Sequence, residues 1–161
     1  KLLGELYDFP SGTMAIGRLD KKSEGLLLLT TDGKVSYDML SYKYEKEYYV
    51  QVDGNITEQA IQQLKEGIEI SHEGTIYKTM PCEASRIEIP ADLPIENRKP
   101  RDERHGPKSW ISITLREGKY RQVRKMTSAV GFPTLRLIRV RIGDITLKLS
   151  KGEAEKVANF Y

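Results

Sequence analysis

Two segments of this chain alternate apolar and polar residues so regularly that they restrict it to folds built on a β-sheet. In EYYVQVD (47–53) the apolar residues Tyr48, Val50 and Val52 share one face. In SWISITL (109–115) two isoleucines and a leucine share one face, and tryptophan, serine and threonine share the other. A period of two is typical of a half-buried strand. We therefore predict a strand in each segment.

Helical spacing elsewhere predicts helices between these strands. Thr57 is placed to cap one helix, with apolar residues at helical spacing behind it. KYRQVRKMTSAVGFP (119–133) predicts another, because Val123 and Met126 fall on one face. A short helix is expected over 35–40. Strands that are largely antiparallel, with two or three helices interspersed irregularly, indicate the α+β class.

Three further segments carry weaker signals. The leucine run 26–30 is expected to be a buried strand, and the proline-rich, charged segment 86–108 is expected to be a loop. Residues 135–142 predict a last strand whose apolar residues change parity, which a β-bulge near Leu137 would explain.

The charge is distributed unevenly along the chain. Residues 98–141 hold 13 Lys/Arg and 3 Asp/Glu, a balance of +10, while the remaining residues hold 13 and 20, a balance of −7. A basic segment on an otherwise acidic protein favours a polyanion partner, most often nucleic acid. A solvated basic face is the alternative interpretation.

The composition excludes several other classes. With 161 residues, of which 39% are hydrophobic and 30% charged, we expect one soluble globular domain over residues 1–161. No apolar run approaches the roughly 20 residues that a membrane span needs. The single cysteine, Cys82, fits a reducing cytoplasm.

Common catalytic motifs are missing from the sequence. His72 and His105 lie near no cysteine or paired carboxylates, so a zinc site is not expected. There is no phosphate-binding glycine loop and no spacing typical of a catalytic triad. Asp20 and Glu24 are four residues apart in a loop-like segment, a weak basis for a two-carboxylate hydrolase. Any enzyme here is expected to use a lone carboxylate with neighbouring arginines and no cofactor.

Four motifs, in order, resemble those of the RsuA-like family of pseudouridine synthases. They are GRLDKKSEGLLLLTTDG (17–33), KEYYVQVDG (46–54), LREGKYRQVRKMTSAVGFP (115–133) and LRLIRVRIG (135–143). The resemblance implies the pseudouridine synthase fold, a mixed and mainly antiparallel sheet with flanking helices and a central active-site cleft. It also implies conversion of uridine to pseudouridine in RNA, with base flipping. The wording of GFPTLRLIR (131–139), with the loop RDERHGPKSWISITL (101–115), resembles a branch that acts on large-subunit ribosomal RNA.

The sequence departs from the family pattern in three places. The family's first strand, with an Asn-Lys-Pro motif, does not appear, and we expect it to precede Lys1 in a longer chain. Many relatives carry an N-terminal S4 RNA-binding domain, which we do not expect here, since members of the branch that this sequence resembles lack it. Tyr120 occupies a position where relatives often have asparagine, while basic residues still flank it.

Three residues match the family's catalytic positions. Asp20 matches the essential aspartate, which acts on the ribose either as a nucleophile at C1′ or as a base at C2′. Arg124 matches the arginine that pairs with this aspartate. Tyr48 matches the tyrosine that stacks on the target uracil and can serve in proton transfer at C5. Without the resemblance, these would be a loop acid, a surface arginine and a core tyrosine.

Further residues match positions that bind the substrate. Leu137 corresponds to the apolar residue beneath the base, and Arg18 to the residue that fills the gap left in the RNA stack by the flipped nucleotide. Six cations are candidates for phosphate contacts, although each could equally be a solvated side chain: Lys46, Lys119, Arg121, Lys125, Arg139 and Arg141.

With this resemblance we expect a monomeric cytoplasmic RNA pseudouridine synthase whose partner is ribosomal RNA, of the large subunit by the wording of its motifs, with no membrane association. A non-catalytic RNA-binding or ribosome-assembly module would share the basic segment. A synthase for small-subunit ribosomal RNA would share the motifs. A DNA-binding or phosphodiester-cleaving enzyme is poorly supported, since the sequence lacks a cluster of carboxylates for a metal.

Overall fold

A six-stranded sheet forms the centre of the protein, for which a computed structural model describes residues 2–93 and 103–160. The helices are α1 (Gly33–Leu40), α2 (Glu58–Glu66) and α3 (Gln122–Ala129). The strands are β1 (Met14–Ala15), β2 (Glu24–Gly25), β3 (Leu29–Thr30), β4 (Lys46–Asp53), β5 (Glu69–His72), β6 (Thr75–Lys78), β7 (Glu83–Ile87), β8 (Lys108–Leu115), β9 (Thr134–Ile142) and β10 (Ile145–Thr146). Short 3-10 turns cover Leu3–Glu5 and Glu103–His105. The predicted α+β class is confirmed.

The sheet runs in the order β10-β9-β4-β8-β7, and its pairings along this path are antiparallel. The short strand β2 adds to β9 in parallel, with Glu24 opposite Ile138 and Gly25 opposite Arg139. Two smaller antiparallel pairs, β1 with β3 and β5 with β6, stand outside this sheet. The long strand β4 therefore has long partners on both sides, which pair its backbone N–H and C=O groups along most of its length.

The main core lies on the face of the sheet that carries the predicted alternation. Val50 and Val52 of β4 are fully buried, and Ile111 and Ile113 of β8 are buried beside them. Helices α2 and α3 cover this face, with the leucine and isoleucine of α2 and Met126 of α3 in the same cluster. Both predicted strands are confirmed.

The predicted helices form where their caps and apolar faces indicate. The Thr57 hydroxyl accepts a hydrogen bond from the Ala60 backbone N–H at 3.2 Å, which caps α2. Gly67 ends this helix with a φ of 97°, a conformation that favours glycine. None of the helices in the described ranges combines the length and apolarity needed to cross a membrane.

The leucine run does not form the single strand that its composition predicts. Leu26 and Leu28 are buried in a second core with Ile16 and Met39, but within the run only Leu29–Thr30 form a strand, β3, and β2 ends before the run at Gly25. These two strands pair with different partners. The leucines are therefore buried by tertiary packing of a bent segment.

Two other predictions need correction. The predicted irregularity in β9 is present, but at other residues: the register against β4 shifts at two places, leaving Leu135 and Val140 as the extra residues, whereas Leu137 pairs regularly with Val50. The expected loop 86–108 begins later, because β7 extends to Ile87 and pairs with β8. Residues 94–102 of that segment lie outside the described part of the chain.

Candidate active site

The segment Gly17–Gly25, here called the signature loop, is held against the sheet at its C-terminal end. Leu26 donates its backbone N–H to the Arg139 carbonyl at 2.9 Å. The Arg139 side chain returns the contact, donating from Nε to the Leu26 carbonyl at 2.8 Å and from Nη1 to the Arg18 carbonyl at 3.3 Å. One strand residue therefore binds both ends of the loop.

Gly25 allows this close approach. Its φ is +105°, and a Cβ atom there would lie 2.2 Å from the Arg139 carbonyl oxygen. Only a residue without a side chain fits a backbone contact that short. The glycine that follows the glutamate of the motif thus has a steric role in docking the loop.

A buried ion pair adds a second anchor. Arg136 of β9 donates two hydrogen bonds to the carboxylate of Glu24, at 2.7 and 2.8 Å. The Arg136 side chain is 8% exposed and that of Glu24 is 29% exposed. A paired, two-point contact of this kind is directional as well as strong, so it orients the end of the signature loop.

Asp20 lies in the middle of this loop, and the structure pairs it with Arg121. The carboxylate oxygen and guanidinium nitrogen are 3.6 Å apart, with the side chains 25% and 37% exposed, respectively. Arg124, the partner expected from the resemblance, donates to the Ser23 hydroxyl at 3.0 Å in the same loop. The predicted pairing of Arg124 with Asp20 stays a prediction. The structure does show that Arg124 contacts the signature loop, although it is 101 residues from Ser23 in sequence.

Arg121 is one of two non-glycine residues with a positive φ among the described residues, at 53°. It immediately precedes α3, so this left-handed conformation turns the chain into the helix. Such a conformation costs a non-glycine residue about 1–2 kcal/mol. Sequence reasoning assigned Arg121 only to phosphate contacts and did not foresee its position beside Asp20.

Tyr48 and Leu137 both contribute to the main core on adjacent strands. Tyr48 is half-buried and pairs with Arg139, which on its other side pairs with Gly25. Tyr48 is therefore two strand spacings, or about 10 Å, from the end of the signature loop. Leu137 is buried, 5% exposed, and pairs with Val50. Both are near the loop, and their roles toward a base stay predictions.

Three of the predicted phosphate-binding cations are used within the protein. Lys46 is 9% exposed and donates to the Arg116 carbonyl at 3.1 Å. Burial, followed by the charges of Arg139 and Arg116, lowers the pKa of Lys46. Arg139 is 7% exposed and binds the signature loop. Both side chains donate to protein carbonyls in this structure, and their expected phosphate contacts stay predictions.

Arg141 is likewise engaged by protein groups. It pairs with Glu45 and Glu47, each at 3.2 Å, and donates to the Gly143 carbonyl. Burial opposes its charge, but the hydrogen bonds to Glu47 and Glu45 outweigh burial and raise the pKa of Arg141. Its expected phosphate contact would compete with two carboxylates.

The other cations gather around two tyrosines beside the loop. The Lys119 ammonium is 5.2 Å from the ring centre of Tyr77. Arg18 and Lys125 lie 5.5 and 5.4 Å from the ring centre of Tyr120. Arg121, between these cations in sequence, is the one that pairs with Asp20.

Glu117 organises this side of the site, and sequence reasoning assigned it no role. Its carboxylate, 3% exposed, accepts hydrogen bonds from the Tyr77 hydroxyl, the Met80 backbone N–H and the Gln122 side chain. It joins the β5–β6 pair to the start of α3, which presents Arg121. The hydrogen bond to Glu117, followed by burial, raises the pKa of Tyr77 to about 12.

The site offers one carboxylate, adjacent arginines and an aromatic ring, which suits acid–base or nucleophilic chemistry at a sugar. No group of three potential metal ligands occurs among the residues that the structure describes. One surface cavity is lined by residues of the N-terminal segment such as Tyr7, and another by residues such as Cys82; Asp20 lines neither of these two.

Comparisons with known proteins agree with this chemistry. A family model described as RNA pseudouridylate synthase matches residues 4–129. The chain is 44% identical over 148 residues to ribosomal large subunit pseudouridine synthase E of Vibrio parahaemolyticus, covering 89% of this chain and 59% of the relative. It is 39% identical to the protein of the same name from Xanthomonas axonopodis pv. citri, covering 86% of this chain and 72% of the relative.

A solved structure gives the same relationship in three dimensions. The crystal structure of a pseudouridylate synthase superposes with a TM-score of 0.73 at 30% sequence identity. The match covers 94% of this chain and 59% of that chain. This chain therefore spans about three-fifths of the length of that structure and of its Vibrio relative.

Proposed function

This chain belongs to the RNA pseudouridylate synthase family, and we propose that it converts a specific uridine of large-subunit ribosomal RNA to pseudouridine. The observation that carries the proposal is the placement of Asp20. The Asp20 carboxylate lies in a loop that β9 anchors. Arg121 of the basic segment pairs with Asp20, and Arg124 of the same segment donates to Ser23 in this loop. The relatives named above as large-subunit enzymes support the choice of RNA.

The reaction is an isomerisation and needs no oxidant or reductant. The N1–C1′ bond of the uridine breaks, the uracil turns, and a C5–C1′ bond forms. The proton on C5 is lost and N1 gains a proton, so the atoms balance. Asp20 acts at the ribose, by attack at C1′ or by removal of a proton from C2′, and both routes require its carboxylate against the sugar.

Other residues would hold the nucleotide during this exchange. We assign Tyr48 to stacking on the uracil and proton transfer at C5, and Leu137 to the apolar floor beneath the base. The cost of extruding a base is a few kcal/mol, which contacts from Arg18, Lys119 and Lys125 to the RNA would offset. We expect one catalytic domain, acting as a monomer in the cytoplasm.

Tritium release tests the proposal. Large-subunit and small-subunit ribosomal RNA labelled at uridine C5 would be incubated separately with wild type and with Asp20→Asn. We expect release from the large-subunit RNA and a loss of roughly 1000-fold in the variant. Asp144→Asn is the matched control, since Asp144 is exposed in the turn between β9 and β10.

Each result has a definite meaning. Release by Asp20→Asn at the wild-type rate would remove Asp20 from the chemistry. Release from the small-subunit RNA alone would contradict the choice of substrate. Binding of ribosomal RNA without any release would favour the non-catalytic module. Asp20→Asn should change the thermal midpoint little, because a half-exposed ion pair contributes about 1 kcal/mol or less.

A further inference from the structure

Tyr120 has no evident role in folding. It lies in the turn before α3, its side chain is 54% exposed, and it belongs to neither hydrophobic core. The phenol makes no hydrogen bond to another described residue that would explain its presence. Its contacts are instead with two cations from different elements of the site, Arg18 and Lys125.

Both contacts have the distance of a cation–π interaction. The Arg18 guanidinium carbon and the Lys125 ammonium lie 5.5 and 5.4 Å from the ring centre, within the roughly 6 Å over which the ring quadrupole attracts a cation. Lys125 also donates to the Ser71 carbonyl at 2.9 Å, which fixes it to β5. The ring therefore joins the signature loop to α3 and, through Lys125, to β5.

The contact between Arg18 and the Tyr120 ring matters because the carboxylate of Asp20 is close to Arg18 in the chain. Arg18 is exposed and only two residues from Asp20, so a free guanidinium would be drawn to that charge. Within the described ranges, no carboxylate lies at ion-pair distance from Arg18, and the ion pair of Asp20 is with Arg121. Two consecutive residues thus contact the two charged groups separately. The Tyr120 ring contacts the Arg18 guanidinium, and Arg121 pairs with the Asp20 carboxylate.

We propose that Tyr120 is a positioning residue, whose ring holds the Arg18 guanidinium away from Asp20 and directed outward for RNA. The inference rests on the proposed function, since the RNA is what Arg18 would engage. An aromatic face suits this role because it attracts the guanidinium without occupying its hydrogen-bond donors, which stay available to phosphates and bases. The phenol hydroxyl is not required.

The test compares Tyr120→Leu, which removes the ring, with Tyr120→Phe, which keeps it. Binding and turnover of large-subunit ribosomal RNA would be measured for each, alone and combined with Arg18→Gln. We expect Tyr120→Leu to weaken RNA binding about two- to fivefold, the size of an exposed cation–π contact. Tyr120→Phe should bind the RNA as tightly as wild type, because it keeps the ring. Tyr37→Leu is the control, because Tyr37 is 78% exposed on α1.

Coupling to Arg18 separates positioning from a purely structural effect. In the Arg18→Gln background, Tyr120→Leu should have much less than its effect in wild type, since the cation that the ring holds is gone. The Arg18 Nε–H resonance should also shift downfield in Tyr120→Leu as the ring current is lost, and should stay in place in Tyr120→Phe.

The possible failures can be told apart. If wild type neither binds nor modifies the RNA, the proposed function fails and this inference fails with it. If wild type is active while Tyr120→Leu binds as well as Tyr120→Phe, only the inference fails. Equal effects of Tyr120→Leu in the two backgrounds would also overturn it, because the ring would then act independently of Arg18.

Discussion

Replacing Glu24 with glutamine is expected to lower the free energy of unfolding by about 2 kcal/mol. The carboxylate of Glu24 accepts two hydrogen bonds from Arg136, at 2.7 and 2.8 Å, and the Arg136 side chain is only 8% exposed. An amide keeps one acceptor oxygen and loses the charge. It can therefore match only one of the two guanidinium donors that point toward it.

The exposure of the pair determines the magnitude. Removing one partner of a fully buried ion pair costs about 3–5 kcal/mol, whereas an exposed pair contributes about 1 kcal/mol or less. Glu24 is 29% exposed, so water can reach part of the site and the cost falls between these limits. In a chain of this length, about 2 kcal/mol corresponds to a fall in Tm of about 4–8 °C.

Urea unfolding of Glu24→Gln, Arg136→Gln and the double variant isolates the pair. We expect a coupling energy of about 1.5 kcal/mol, and a value below about 0.5 kcal/mol would refute the reasoning. Glu73→Gln, at a side chain that is 85% exposed, is the control and should change stability little. At temperatures well below the Tm of Glu24→Gln, pseudouridine formation by this variant should also be slower than that of wild type, because the loop that carries Asp20 has lost an anchor.

Two further predictions concern the glycine of the same loop and the hydroxyl of β6. Gly25→Ala should cost at least about 3 kcal/mol in urea unfolding, since a methyl group would overlap the Arg139 carbonyl and the φ is strained; an alanine variant of wild-type stability would contradict the close approach. Tyr77 donates to Glu117 and its pKa is raised to about 12, so the native state holds this proton more tightly than the unfolded chain does. The stability from this hydrogen bond should be complete below pH ~10 and should be lost as the pH rises toward 12. Tyr77→Phe should lack this part of the alkaline loss, whereas the contribution of the Cys82 thiol, whose pKa burial raises to about 11, is common to both proteins.

Local patterns predicted the elements that fold around the main core. The alternation in β4 and β8, and the cap and spacing of α2, are properties of short segments, and the structure contains each of them. The β5–β6 pair was missed because its turn, Glu73-Gly74, is a weaker signal than the asparagine–glycine or aspartate–glycine turns that mark hairpins.

Strands of two residues have no periodicity to detect. β2 forms because Gly25 can approach the backbone of β9, and β3 forms by pairing with β1. Composition alone made the leucine run look like one strand. Only the strand within the run, β3, has a partner close in sequence, whereas β2 just before it pairs with β9 more than a hundred positions away, which no local pattern encodes.

The site shows the same division between local and distant information. The resemblance identified Asp20 and the basic motif, and the structure brings Arg124 to the signature loop. The ion pair of Asp20 with Arg121 depends on the left-handed conformation of Arg121 before α3. The helix-forming residues in this segment do not predict that conformation. The burial of Lys46 and Arg139 was also unforeseen, because a lysine or arginine on a strand of known motif can face either side.

The dependence of the signature loop on β9 has a consequence for synthesis. The chain emerges from the ribosome N-terminus first, so the segment around Asp20 is made more than a hundred residues before Thr134–Ile142. Until that strand emerges, Gly25 has no backbone to dock against and Glu24 has no arginine to pair with. A nascent chain therefore carries the motif before its loop can dock, and the candidate site is assembled only after β9 has been synthesised.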